Sequence, residues 1–542
     1  MKKFVLGLTL LLLAALAFGQ HELIVPSATS FDDLLNATIA GDTTAAGERN
    51  DSLRVYVLER NGVYFANSSI RNDTWPLIII AQEGEGNLPM IFQTPTAEAT
   101  NGFDLFRIKG NCHLENLVYV GFVESDTAAI AKIGNSLVRS DAAGFDIVIK
   151  NCIVSQTQGQ FIRTQHATRK VELRNNIFAN MGDLGRSNFG AGKGIDFRDT
   201  SCDSAILVNN TWVNFQDRII RHRSSTAAIN NFIFDHNTVI NGMSYHGTLA
   251  LGYVGDYVQI TNNFWYDTFL AGQDTDAVRQ SEFNECEEQD DFGFSKMTWI
   301  SSVPNDTTAW NVKSNYYSVS AAVQNFYNTV MTADHAFKGE GIPLTSHIEG
   351  KSGVEAFVKE AIDVVDRPEP MIAMATWYRK PIADGGAGKT KATDNFNRTT
   401  DDYDRATYEY LLNTLNLSYP TTTAAYTGGT DGKPVGDLNW FGMDVAIDHS
   451  DEILPTGFSL EQNYPNPFNP TTKIGFTLEK AGEISLTVYN LLGQAVALPV
   501  AENLKAGRHE ISFDASHLAN GVYFYQLRSG KQAITRKMLL MK

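Results

Sequence analysis

Only four cysteines, Cys112, Cys152, Cys202 and Cys286, occur in 542 residues, and no two form a CxxC pair. That leaves neither a disulfide framework nor a thiolate zinc signature. Basic residues are in deficit, with a formal net charge of -17. The deficit argues against a nucleic-acid partner, which needs a clustered cationic surface. It does not exclude a local basic groove, because net charge says nothing about distribution. Beyond residue 19 no stretch approaches 18 apolar residues, so no transmembrane segment is expected in the mature protein. The central 300 residues also lack a sustained 3.6-residue period, which excludes helical repeats.

The first 19 residues, "MKKFVLGLTLLLLAALAFG", carry Lys2 and Lys3, an apolar run from Phe4 to Phe18, and small residues before Gln20. This is the pattern of a removable signal peptide. The expected organisation is a signal peptide at 1–19, a repetitive body at 20–330, a closing region and linker at 331–450, and a small β-domain at 451–542.

The body repeats one frame: an alternating apolar strand, a polar corner, and a second apolar pair. It is seen in "DIVIKNCIV" (146–154), "KVELRNNIF" (170–178), "AILVNNTWV" (205–213), "FIFDHNTVI" (232–240), "VQITNNFWY" (258–266) and "WNVKSNYYS" (310–318), with an earlier relative in "CHLENLVYV" (112–120). The corner residues are Asn116, Cys152, Asn176, Asn210, Asn237, Asn263 and Asn315. A sandwich would place turn signals about every 8–12 residues with no such register. A right-handed parallel β-helix explains both features. Each coil stacks about 4.8 Å above the last, so asparagines at one corner form a ladder beside a continuous apolar core. The fold class is therefore all-β, with a partly helical capping region. Two segments, 352–366 and 402–417, have amphipathic helical patterns. "TGGTDGKPVGDLNWFG" (427–442) reads as a Gly-rich closing segment.

A second register precedes the corners. Arg139, Arg163, Arg198 and Arg223 stand 13, 13, 12 and 14 residues before theirs, and Arg107 stands at a shorter offset. Such offsets predict guanidinium groups stacked on one sheet. Stacked cations repel, so either Asp141, Asp196 and Asp199 pair with them or an anionic ligand lies along the row. A uronic-acid polysaccharide, with carboxylates repeating along an extended chain, suits such a groove. Cation neutralisation of the uronate carboxylate acidifies the neighbouring C–H, and a basic side chain then completes a β-elimination. His222, Lys193, Arg221 and Arg223 are the candidate catalytic residues. Arg139, Arg163, Arg198, His246 and Tyr253 are the candidate substrate contacts. Trp212, Trp265 and Tyr266 directly follow corners, which reads as core. No cofactor is fixed. Calcium stays open, the acidic run "ECEEQDD" (285–291) being as readily a solvated loop.

Two resemblances add to this reading. "NYPNPFNPTTKI" (463–474), "VYNLLGQ" (488–494), "GVYFYQLRSG" (521–530) and the finish "RKMLLMK" resemble, in order, the type A C-terminal sorting domain of the type IX secretion system. That resemblance implies a β-sandwich, export across both membranes, the secretion machinery as partner, and a secreted or cell-surface location. Over residues 50–320 the style of the repeats resembles the pectin-lyase superfamily. "RHR" (221–223), with a lysine one coil earlier, resembles β-helix lyases of the alginate-lyase and chondroitinase-B type. The NTD, DD and GHG motifs of β-helix polygalacturonases are missing, and so is the RxPxxR pattern of classical pectate lyases. Three functional readings stay open: a lyase acting on acidic polysaccharide, a non-catalytic binding or adhesive protein of the same fold, and a glycoside hydrolase. The last would need two carboxylates facing one cleft, and no such pair is legible.

Overall fold

In a computed structural model the described residues are 21–94, 102–121, 134–182, 192–244, 247–270, 273–274, 298–300, 307–333, 337–339, 348–379, 415–443, and 459–542 apart from 461–462, 464, 467, 479–481, 491–493, 505–506 and 531. The predicted signal peptide and residues 402–414 of the second predicted helix lie outside them. Chain contacts divide the molecule into Met1–Asp444 and Val445–Lys542.

The larger unit is a right-handed parallel β-helix of three sheets. One coil shows the path: Cys112–Glu115 in the first sheet, Val118–Val120 in the second, Ser136–Ser140 in the third, and Asp146–Lys150 back in the first, directly above Cys112–Glu115. The first and second sheets have ten strands each, and the third has eight. Neighbouring strands in these sheets are parallel, and apart from local register shifts at Asp196/Arg198 and Ile229/Asn231 residues one coil apart meet. Alternate side chains turn inward. Val171, Ala205, Phe232 and Val258 lie over one another, as do Leu173, Leu207, Phe234 and Ile260, in one continuous apolar core.

The corner between the first and second sheets is built from two adjacent columns. Asn116, Asn151, Asn175, Asn209, His236, Asn262 and Ser314 all take left-handed φ values of 49–58°. Asparagine tolerates that region better than most residues, and Gly is not needed. The next residue forms the ladder. Asn176 Nδ2 donates to Asn210 Oδ1 (2.9 Å), Asn210 to Asn237 (3.0 Å), Asn237 to Asn263 (3.2 Å) and Asn263 to Asn315 (2.8 Å). Each amide also caps a backbone carbonyl of the coil below, such as Leu173 O for Asn210. The predicted file is thus present from Asn176 to Asn315. Cys152 occupies the same column, its N–H bound to Asn176 Oδ1. Asn116 does not: its left-handed φ of 58° assigns it to the neighbouring column, and the buried Leu117 takes the ladder position. A second amide file, unforeseen from the sequence, runs Asn241–Asn214–Asn180 at the far end of the second sheet, again at left-handed φ.

Residues 352–366 are not the expected helix. Val358–Lys359 pairs with Tyr316–Tyr317, and Glu355 N bonds Val312 O. The last coil leaves unpaired strand edges, and satisfying them outweighs a short helical pattern. The helix found near this end is Ala321–Ala333. Residues 415–443 form a strap along the outer face of the second sheet, where Leu417, Tyr419, Ala425 and Val435 pack on Ala179, Val213, Ile240, Phe264 and Tyr266.

The C-terminal unit is an antiparallel sandwich of a three-stranded and a four-stranded sheet. Ile474, Phe476, Leu486, Val488, Tyr525 and Leu527 fill it. Buried Asn463 fixes the Pro-rich entry, with its N–H on Tyr525 Oη and its amide on Pro465 O and Thr472 Oγ1.

Replacing a mid-file amide tests the ladder. Asn237→Ala strands the buried Asn210 N–H and Leu207 O. It should cost about 3 kcal/mol, since unmet buried polar groups cost about 1–3 kcal/mol each. Urea unfolding should show a lower midpoint at unchanged slope.

Candidate functional site

On the outward face of the third sheet, register aligns Arg71, Arg107, Arg139, Arg163, Asp196 and Arg221, one per coil. The frame that generates the row is local to each strand: two apolar residues and then the outward one. It appears in "LFRI" (105–108), "LVRS" (137–140), "FIRT" (161–164), "GIDF" (194–197) and "IIRH" (219–222). Counting back from the corners misplaced the last two members. Arg198 is not in the row, because Asp196 takes that rung and a register shift sets Arg198, at φ 52°, opposite His222. Arg223 is displaced likewise, in favour of Arg221. Arg198 and Arg223 instead stack beside the row, with Arg223 N bonded to Arg198 O at 2.7 Å. The turns from the third to the first sheet differ in length, so distance from the corner does not measure position on the third sheet. Arg71 was missed because it precedes the first clear corner.

Compensation along the row is uneven. Asp141 serves three guanidinium groups, those of Arg107 (2.7 Å), Arg139 (3.4 Å) and Arg71 (3.9 Å). Arg139 also reaches Asp104 (3.2 Å) and Gln165 (3.0 Å). Arg221 is tied to Asp196 at 3.1 Å and Arg223 to Asp199 at 2.9 Å. Arg163 and Arg198 pair with no carboxylate among the described residues, and Arg163 Nε is buried without a hydrogen bond. The middle of the sheet therefore carries surplus positive charge on a strongly acidic chain.

The candidate bases are placed differently. His222, expected as a candidate base, is buried on the inward side, edge-on to Phe197 at 6.3 Å and away from the outer face. The inside–outside alternation of the strand puts it there once Arg221 faces out. Burial drives its imidazole down to about 4, against weaker support from Thr200, Asp199, Ala227 and Asp196. Lys193 is buried with Nζ 3.4 Å from Asp217, and Asp217 also holds the buried Arg218 at 3.1 Å. Burial lowers the Lys193 pKa, opposed by Asp217 and Asp196. Neither Asp217 nor Arg218 was singled out from the sequence. Tyr253 is half-buried at the turn above Arg223, its N–H on Ser224 O. His246 and the acidic run 285–291 lie outside the described residues. Among the described residues no cluster of three acidic, His or Cys groups has metal-binding geometry. Trp212 and Trp265 are core, and Tyr266 is buried beneath the strap. The cysteines Cys112, Cys152 and Cys202 are free and buried, with burial pushing each thiol up to about 12.

Comparison with known proteins adds one match. Residues 462–541 fit the family model of the secretion system C-terminal sorting domain. The chain is thus marked for type IX export to the cell surface or the medium. No pectin-lyase family model matches. No curated protein and no solved structure matches the chain. Among the described residues no helix is long and apolar enough to cross a membrane.

The buried His222 makes a pH prediction. Its folded pKa lies below the ordinary 6.5, so the unfolded chain takes up a proton that the folded chain refuses. Stability present above about pH 6.5 is lost as pH falls through about 4, by about 3 kcal/mol. His222→Phe should remove that part of the pH slope in urea unfolding between pH 4 and 7.

Proposed function

We propose that the mature protein is a non-catalytic surface or secreted protein that binds acidic, uronic-acid polysaccharide along the arginine row of its third sheet. The observation that carries this reading is the pair Arg163 and Arg198, which meet no carboxylate among the described residues and are flanked by rungs where three arginines share Asp141. A polyanion lying across the strands meets a guanidinium on successive coils about 4.8 Å apart. Forked Arg–carboxylate bonds suit that geometry. The polarity of the face, not the fold, selects the ligand class.

The binding reading is preferred to the lyase because the candidate bases are occupied. His222 is sealed in the core, Lys193 faces Asp217, and Arg221 faces Asp196. A general base must reach the proton it removes. The export signal at 462–541 accords with an extracellular polymer as target.

Titration calorimetry with polygalacturonate, alginate and chondroitin tests the proposal. Arg163→Ala and Arg198→Ala should each weaken binding about tenfold, equivalent to about 1.4 kcal/mol, with unchanged melting. Affinity should fall steeply with salt. Arg221→Ala should behave differently, destabilising the fold by about 3–5 kcal/mol, because Asp196 would be left buried and unpaired. Growth of unsaturated-uronide absorbance on any of the three polymers would replace binding with lyase chemistry. Absence of binding to all three would remove the proposal.

A further inference from the structure

The strap at 415–443 is held on the second sheet by polar contacts spread over three successive coils. Thr430 N bonds Asn262 Oδ1 (2.8 Å), Asp437 N bonds Thr238 Oγ1 (2.9 Å), and Leu438 N bonds Asn209 Oδ1 (2.7 Å). Trp440 Nε1 donates to Thr211 Oγ1 (2.8 Å), which donates onward to Asp437 Oδ2 (2.7 Å). The fit is close at Gly436, whose φ is 93°. An added Cβ would sit 2.6 Å from Thr238 Oγ1.

Two ionisable groups are enclosed where strap meets sheet. Asp437 is wholly buried, and its oxygens accept from Thr211 Oγ1 and from Asn439 N at 3.0 Å. The basic group that acts on its charge is His236, on the corner column of the sheet, and its effect is weak. His236 is buried too, with Nδ1 3.0 Å from Asp235 Oδ2 and Nε2 3.7 Å from Asp431 Oδ1 on the strap. Asp235 is held by Thr261 and Asn262, and Lys433 of the strap lies 3.7 Å from Asp431. The strap thus brings Asp431 to the buried histidine and seals a second carboxylate, Asp437, from water.

We propose that the strap is an acid-tightened latch, held most firmly on the second sheet in acid and progressively loosened as pH rises toward neutrality. Release would bare Val213, Ile240, Phe264 and Tyr266. Burial raises the Asp437 carboxyl from 3.8 to about 7, against weaker opposition from Thr211, Asn439 and His236. In a released strap the group regains water and its ordinary value. Between those limits the closed form keeps a proton that the open form gives up. Closure is therefore favoured at low pH and weakens as pH rises to about 7, levelling above it.

Hydrogen exchange on the mature chain between pH 5 and 8.5, corrected for intrinsic rates, tests this. Amides of Thr430, Asp437 and Leu438 should lose protection about tenfold per pH unit up to about pH 7 and then level, while the core strands show no such loss with rising pH. Asp437→Asn should abolish the slope. Gly436→Ala, which needs no change of charge, should leave the same amides poorly protected at every pH. Protection independent of pH in the unaltered chain, or a slope that survives in Asp437→Asn, would overturn the latch. Loss of protection spread equally over the core strands would mean general unfolding and would overturn it as well.

Discussion

Vertical register between successive coils is the constraint on which the structure depends. Each coil contributes one strand to each sheet, so a slip by one residue would invert every side chain above it. The buried amide file resists such a slip. Asn176, Asn210, Asn237, Asn263 and Asn315 each satisfy both a neighbouring amide and a carbonyl of the coil below. Those bonds cannot be exchanged for water in the interior, which makes a misregistered coil expensive. The adjacent left-handed column turns the chain the same way at each level. Together they allow loops elsewhere to vary widely in length without disturbing the stack.

Register also creates the charged face. A stack that superposes like side chains gathers arginines that are far apart in sequence, and it concentrates their repulsion. Asp141 relieves three of them, Asp196 one, and Asp199 another outside the row. What is left over among the described residues, at Arg163 and Arg198, is the charge on which the proposed anion binding rests. The same geometry disfavours the histidine of "RHR" as a proton carrier. In a strand, neighbours face opposite ways, so an outward Arg221 commits His222 to the core. A tripeptide that resembles a catalytic motif is here divided between surface and interior.

The outer face of the second sheet solves a different problem. Its upper coils present Val213, Ile240, Phe264 and Tyr266, which a solvent-facing sheet would leave wet. Thr211, Thr238, Asn209 and Asn262 are the polar fringe by which the strap is recognised. The Asn-Thr pairs that recur at the corners thus have two uses: the buried asparagine binds the coil below, and the threonine binds the covering chain. Enclosing Asp437 beneath that cover makes the attachment sensitive to protons.

Much of the architecture was legible because it is periodic. The alternating strands, the corner asparagines from Asn176 onward, the sandwich with its sorting motifs, and the core placement of Trp212 and Trp265 all follow from patterns local to one coil. Position across the sheet was not legible. Spacing counted from a corner could not show that turn lengths differ, that a register shift removes Arg198 from the row, or that Asn116 belongs one column over. Nor could it show that 352–366 would abandon a helical pattern to close exposed strand edges. The sequence by itself determined that this chain winds into a parallel β-helix followed by an exported sandwich, because local alternation and turn chemistry suffice for that. Only tertiary structure decided which arginines keep a free charge, which histidine is sealed away and which carboxylate lies under the strap, because each depends on groups tens to hundreds of residues apart meeting at one level of the stack.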